Sequence, residues 1–406
     1  MSVDASTADP STPVTTESIR REPEFLERPL EADQRVTPLE LFFDLIFVFA
    51  ITQVTGYVSA DASWTRLLEG LAILAVLWWA WSSYAWLGNT ANSDEGHVRV
   101  VLLAAMGAML VVSLAVPTAF AGGGLAFGAA YFVVRALHIG AYTVVARDDP
   151  ELTHVVGRLA RVMMPAAILL LLAGALGGTA RTVLWPMAIA VDYGGLVVGG
   201  TQGWRVEPAH FSERHALILI IALGESIVSL GVGAAGLGVG AHVIFGGLLG
   251  IAVTAALWWA YFDVVALVAE RRLRRADPPT RARMARDSYT YLHLPMIAGV
   301  ILFAVGVKRT LAHAGSELPA VPVVCLCCGV ALYFLALSTF KRRNIGSFNR
   351  PRLVAAATLC ALAPLALGVP ALLALALVAL VACGLIAYEV VRYAEARDRI
   401  RHRDPV

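Results

Sequence analysis

Twelve apolar runs, each near the length that crosses a bilayer, leave this chain few folds to adopt. A helical span takes about 20 mostly apolar residues. Runs of that kind cover roughly 38–58, 66–87, 98–119, 124–146, 159–178, 183–204, 215–235, 240–269, 288–308, 320–340, 352–369 and 371–392. Only 15% of residues are charged, against about 25% in an average soluble protein. Short loops join the runs and offer no polar layer to cover them. The expected fold class is therefore an all-α polytopic membrane protein with about 12 transmembrane helices.

The basic residues set an orientation. Alternate loops assigned to opposite sides place 27 of the 32 Lys and Arg with the two termini, four on the other side (Arg66, Arg181, Lys308, Arg309), and Arg135 inside a helix. Basic segments resist translocation and collect on the cytoplasmic face. Both termini are thus expected in the cytoplasm, and an even helix count agrees. The net charge of +2 follows from this sidedness and gives no reason to expect nucleic acid as a partner.

Two stretches nearly repeat each other. Leu77-Trp78-Trp79-Ala80-Trp81 is echoed by Leu257-Trp258-Trp259-Ala260-Tyr261. Glu40 to Thr55 resembles Glu213 to Val228 in pattern, and Tyr131-Phe132 matches Tyr333-Phe334. The order of these features suggests two six-helix repeats. Six is even, so both copies would insert the same way up, related by an axis along the membrane normal. The expected organisation is a disordered cytoplasmic tail over 1–36, repeat one over 37–206, repeat two over 207–395 and a cytoplasmic tail over 396–406. The tail over 1–36 has no apolar core of a signal peptide.

Charged groups within the runs need a reason, because each costs roughly 2.5–3.5 kcal/mol at the bilayer centre even on lenient scales. Five stand out: Asp44, Arg135, Asp192, Glu225 and Asp263, accompanied by His138 and His293. Thr37-Pro38-Leu39-Glu40 reads as a helix start, with Thr37 and Glu40 forming a capping box and Pro38 at the first helical position. Glu40 is accordingly a cap or a site at the interface, and Asp44 lies one turn deeper on the same face. Glu225 is the sharpest signal, about ten residues and so ~15 Å into its helix. Four membrane acids face one arginine, so the surplus carboxyls are expected to stay neutral or bind a cation. Arg135 is expected to neutralise one of them.

Other chemistry lacks a motif. There is no phosphate-binding Gly-Lys-Ser/Thr loop, no His-Glu-x-x-His and no nucleophile elbow, so nothing points to an enzyme, a metal site or a cofactor. Cys325, Cys327, Cys328, Cys360 and Cys383 fall in apolar runs without a paired Cys-x-x-Cys pattern and read as small apolar residues. The glycines from Gly231 to Gly250 suggest close helix packing and a flexible external turn.

The run Glu40-Leu41-Phe42-Phe43-Asp44-Leu45-Ile46-Phe47-Val48-Phe49-Ala50-Ile51-Thr52 resembles the opening signature of the bacterial low temperature requirement A family. Glu213-Arg214-His215, Leu223-Gly224-Glu225-Ser226, Asp192-Tyr193-Gly194 and Tyr291-Leu292-His293 are similar to that family's later landmarks. The resemblance implies a multi-pass protein of the bacterial cytoplasmic (inner) membrane, in a family named for a growth phenotype and without an assigned reaction. The first-helix motif is also similar to duplicated six-helix potassium channels. It lacks their Ser in Phe42-Phe43-Asp44, and Phe211-Ser212 has no matching Asp.

The leading expectation is a proton- or cation-coupled transporter of a small solute, with Glu225, Asp44 and Asp263 carrying the ion and Arg135 as a switchable counter-charge. A cation channel and a non-transporting scaffold or sensor are the alternatives. Expected partners are the lipid bilayer and a small ion or solute, with homo-oligomer formation left open.

Overall fold

The computed structural model describes residues 35–91 and 96–402, and most of the expected tail over 1–36 lies outside them. The first membrane helix, α1, runs Pro38–Asp61 and begins as its sequence dictates. Thr37 Oγ1 accepts the Glu40 N–H at 3.2 Å, and Glu40 Oε2 accepts the Thr37 N–H at 3.0 Å. Two backbone donors left open by the helix start are thereby satisfied. The helices that follow are α2 (Trp64–Gly88), α3 (Gly96–Ala115), α4 (Gly124–Val145), α5 (Pro150–Leu176), α6 (Gly178–Gly199) and α7 (Pro208–Ala234). After them come α8 (Ala241–Phe262), α9 (Val265–Arg275), α10 (Pro278–Met284), α11 (His293–Ala312), α12 (Ala320–Ile345), α13 (Arg350–Ala366), α14 (Ala371–Arg392) and α15 (Ala394–His402). Asp149 caps α5 by accepting the Leu152 N–H at 3.1 Å, which holds its carboxyl below the ordinary range.

Among the described residues, eleven stretches are long and apolar enough to cross a membrane, with α8 continuing into α9 and α10 into α11. The twelfth expected run forms α13, which has 17 residues and contains Pro364. At 1.5 Å per residue it is ~25 Å long, the shortest of the set. Among the described residues there is no strand, only an isolated bridge between Glu317 and Pro370.

The helices sort into a centre and a rim. The apolar windows of α2 and α10–α11 are 83% and 78% buried within the protein, whereas that of α6 is 17% buried. Rim helices turn Val183, Met187, Val197 and Val198 outward, which lipid would cover. In the first half α1 packs on α2 and α3, α4 on α3 and α5, and α5 on α6. In the second half α7 packs on α8 and α11, α12 on α11 and α13, and α13 on α14. The echoed tryptophans nevertheless differ in setting. Trp78 and Trp79 are buried, but Trp258 and Trp259 are exposed on α8.

Glycine permits the closest crossings. A Cβ on Gly299 would stand 2.6 Å from the Gly329 carbonyl oxygen, and one on Gly174 would stand 2.1 Å from that of Gly124. These contacts seat α11 against α12 and α5 against α4, the small-residue packing that membrane helices favour. Between α10 and α11 the chain widens into a π-helical segment over Ala285–Tyr291. Pro295 follows it and gives no N–H back to that turn. The Trp78 indole donates to the Thr290 carbonyl at 2.7 Å and the Trp86 indole to the Thr290 hydroxyl at 2.9 Å, tying α2 to this segment.

Candidate functional site

Helices α1 and α7 run parallel and meet through three successive polar contacts. His210 Nε2 lies 2.9 Å from Glu40 Oε2. One turn on, Arg214 Nη2 donates to Asp44 Oδ1 at 2.9 Å, and the Trp81 indole donates to the same oxygen at 2.8 Å. Both pairs use residues four apart on each helix, positions that share a face. All four side chains are buried. The alternation of charge along the sequence places Arg214 in a loop on the side of the termini. It belongs to α7 and is 1% exposed, so Arg135 is not the only arginine inside the bundle.

Glu225 lies eleven residues beyond Arg214, ~16 Å further along α7. The Thr52 hydroxyl of α1 donates to its Oε2 at 2.6 Å, and the Ser229 hydroxyl donates to its Oε1 at 3.0 Å. No described basic nitrogen stands within 4 Å of this carboxyl. Nearby on α11, Lys308 Nζ donates to Ser59 Oγ of α1 at 2.9 Å. The Thr52 oxygen is also 3.0 Å from the Val48 carbonyl. A hydroxyl has one hydrogen and two lone pairs. With Glu225 ionised, that hydrogen points to the carboxylate. With Glu225 protonated, the acid donates to Thr52, and Thr52 donates to Val48. Both protonation states are satisfied without moving a helix.

Arg135, His138 and Asp192 meet elsewhere, between α2, α4 and α6. Arg135 Nη2 donates to Asp192 Oδ1 at 3.0 Å and its Nη1 to Ser83 Oγ at 2.7 Å. His138 Nε2 lies 2.9 Å from the Ser83 carbonyl, which makes that nitrogen the donor. Arg135 does neutralise an acid, as expected, but a fixed one in this cluster.

Asp263 sits at the C-terminal end of α8, away from the other acids. Arg397 Nε and Nη2 grip it at 2.5 and 2.9 Å, and Arg401 Nη1 reaches it at 3.2 Å. It anchors α15 to the bundle. His293, the first residue of α11, is fully buried in a cluster of rings. Its Nε2 accepts from the Tyr261 hydroxyl at 3.0 Å, and its Nδ1 donates to the Ser288 carbonyl at 3.1 Å. Tyr289 stacks on it, and His215 meets it edge-on at 5.1 Å between ring centroids. Trp81 also meets His215 edge-on at 5.1 Å, so these rings back the Asp44–Arg214 pair.

The charge count made from sequence is thereby corrected. Asp44, Asp192 and Asp263 each face arginine, and only Glu225 of the four acids does not. The eight candidate residues form separate groups. Sequence reasoning missed His210 and Arg214, although their four-residue spacing matches that of Glu40 and Asp44. The five cysteines are free thiols. Among the described residues no group of three or more His, Cys, Asp or Glu is arranged to hold a metal ion.

The long apolar helices and polar groups confined to helix contacts define a multi-pass α-helical membrane protein. The profile of the bacterial low temperature requirement A protein (LtrA) family matches residues 35–387, and the chain belongs to this family. It is 30% identical over 285 residues to an uncharacterized protein of Rhizobium meliloti (strain 1021), covering 68% of this chain and 69% of that relative. No solved structure matches.

Proposed function

We propose that this chain is a proton-coupled transporter of a small solute in the bacterial cytoplasmic membrane, with both termini in the cytoplasm. Glu225 takes up and releases the proton. The observation carrying this reading is its hydrogen bonding: alone among the four acids it meets only hydroxyls, and Thr52 serves it charged or neutral. The position also fits. Thr52 belongs to the first half of the chain, and Ser229 and Lys308 belong to the second, so rocking of two six-helix repeats would alter the site. The Asp44–Arg214 pair, ~16 Å back along α7 from Glu225, and the Glu40–His210 pair a turn beyond it close the α1–α7 contact. In this reading they form the gate on the side of the chain's start, and Arg214 takes the counter-charge role first given to Arg135.

Proton flux into proteoliposomes tests it. Glu225→Gln keeps the shape and one acceptor but cannot exchange a proton. It is expected to abolish coupled flux while the protein still folds; wild-type flux in that variant sinks the proposal. A non-transporting scaffold is the second reading, favoured by the three acids already held in arginine pairs. Loss of partner assembly in a deletion strain, with unchanged ion handling, would select it.

A further inference from the structure

At the arginine-rich end of the bundle, a cavity of about 550 Å³ opens between the ends of α8, α12 and α14, the start of α13, and α15. Two acids line it, and both are already committed. Glu389 accepts Arg352 Nε and Nη2, each at 2.9 Å, and Asn349 Nδ2 at 2.7 Å. Asp263 accepts Arg397. Lys341 and Arg350 also line the cavity, and neither has a described carboxylate within 4 Å. Arg352 is 5% exposed, lines the same cavity, and its Nη1 has no hydrogen-bond partner among the described residues. A buried guanidinium nitrogen without an acceptor is costly. The lining thus carries an excess of positive charge and an unused buried donor.

A second opening continues from the first. A cleft of about 610 Å³ runs between α13 and α14, and the two share Arg350, Pro351 and Tyr393. Its walls are apolar, formed by Val354, Ala355, Val381 and Leu385 with Tyr388. Val354 and Tyr388 are exposed on the outer face, where lipid would lie. Trp259 and Phe348 flank the charged part, the aromatic setting of a membrane surface.

We propose that this composite site binds one anionic phospholipid. The phosphate sits among Lys341, Arg350 and Arg352 Nη1, and an acyl chain lies in the α13–α14 cleft. Basic pockets between membrane helices hold anionic headgroups through such contacts. A free phosphate would use the charges and leave the cleft empty, whereas a neutral lipid would use only the cleft. The adjoining Asp263–Arg397 contact would place α15 over the bound headgroup.

Native mass spectrometry of the purified full-length chain reads this directly, with phosphatidylglycerol, phosphatidylcholine and inorganic phosphate as probes. Phosphatidylglycerol is expected to bind about tenfold or more tighter than phosphatidylcholine. Lys341→Gln with Arg350→Gln removes charges that take part in no ion pair among the described residues, and should erase most of that preference. Val354→Trp, at an exposed position, should weaken phosphatidylglycerol by obstructing the cleft. Equal binding of the two lipids, or an undiminished preference in the double variant, overturns the site. Inorganic phosphate matching phosphatidylglycerol would overturn the lipid assignment too. The double variant decides the matter alone if Val354→Trp does not fold.

Discussion

Two buried carboxyls, Asp192 and Glu225, are handled in opposite ways. Asp192 is held by a guanidinium that is itself fully buried and fixed by Ser83. Removing either charge strands the other, so the pair is built to keep one state. Glu225 meets Thr52 and Ser229, and the Thr52 hydroxyl can reverse its hydrogen bond because the Val48 carbonyl offers it a second acceptor. It has neighbours suited to either protonation state. A membrane acid is therefore not a working group by virtue of its depth; the chemistry of its partners decides.

Breaking the fixed pair should give the largest effect. Arg135→Met leaves Asp192 buried beside an apolar side chain and should cost about 3–5 kcal/mol, seen as a large drop in thermal unfolding temperature in detergent. Adding Asp192→Leu removes the stranded charge and should recover most of the loss. An Arg135→Met protein as stable as wild type would show that the pair contributes little. Asp44→Asn comes next. It keeps an oxygen for the Trp81 indole but takes the anion from Arg214, so a loss of about 2–3 kcal/mol is expected. Wild-type stability there would make the α1–α7 layer a loose contact rather than a closed gate.

The helices were legible because bilayer thickness writes a length onto the sequence that local reading recovers. The cap of α1 was legible for a similar reason, since Thr37, Pro38 and Glu40 act within one turn. The partners were not. Arg214 lies six residues into α7, where charge counting places it in a loop, and only its register against Asp44 brings it inside. Asp263 looked like a membrane acid because α8 runs on into α9, and its arginines lie more than a hundred residues away in α15. The tryptophan echo is plain in the sequence, but α2 is central and α8 peripheral. Similar residues are therefore buried in one and face outward in the other.

The pairing of Asp263 at the end of the bundle should matter less than either deeply buried pair, because what it holds is the terminal helix α15. Arg397 is mostly buried, but Arg401 is half exposed, and exposed ion pairs contribute about 0–1 kcal/mol. Asp263→Asn is therefore expected to leave the unfolding temperature of the bundle nearly unchanged while freeing α15. Limited trypsin digestion should then cut within 394–402 faster than in wild type. Unaltered cleavage would mean that other contacts hold this helix.

The smallest structural effect belongs to the most diagnostic substitution. Thr52→Val keeps the shape of the side chain and deletes the hydroxyl shared by Glu225 and Val48. Hydrogen bonds between membrane helices average about 0.6 kcal/mol, so stability should barely move. Function should respond far more, because protonated Glu225 would lose its acceptor on α1 while Ser229 remained for the ionised form. Coupled flux is expected to fall, with Thr52→Ser restoring it, since a serine hydroxyl can turn towards the carboxyl or the carbonyl as threonine does. A merely structural threonine would show the reverse ranking, with stability changing and flux intact. Flux unaltered in Thr52→Val but lost in Glu225→Gln would keep the proton on Glu225 and remove the reversible hydroxyl from the mechanism. The contrast with Asp192 would then rest on charge alone.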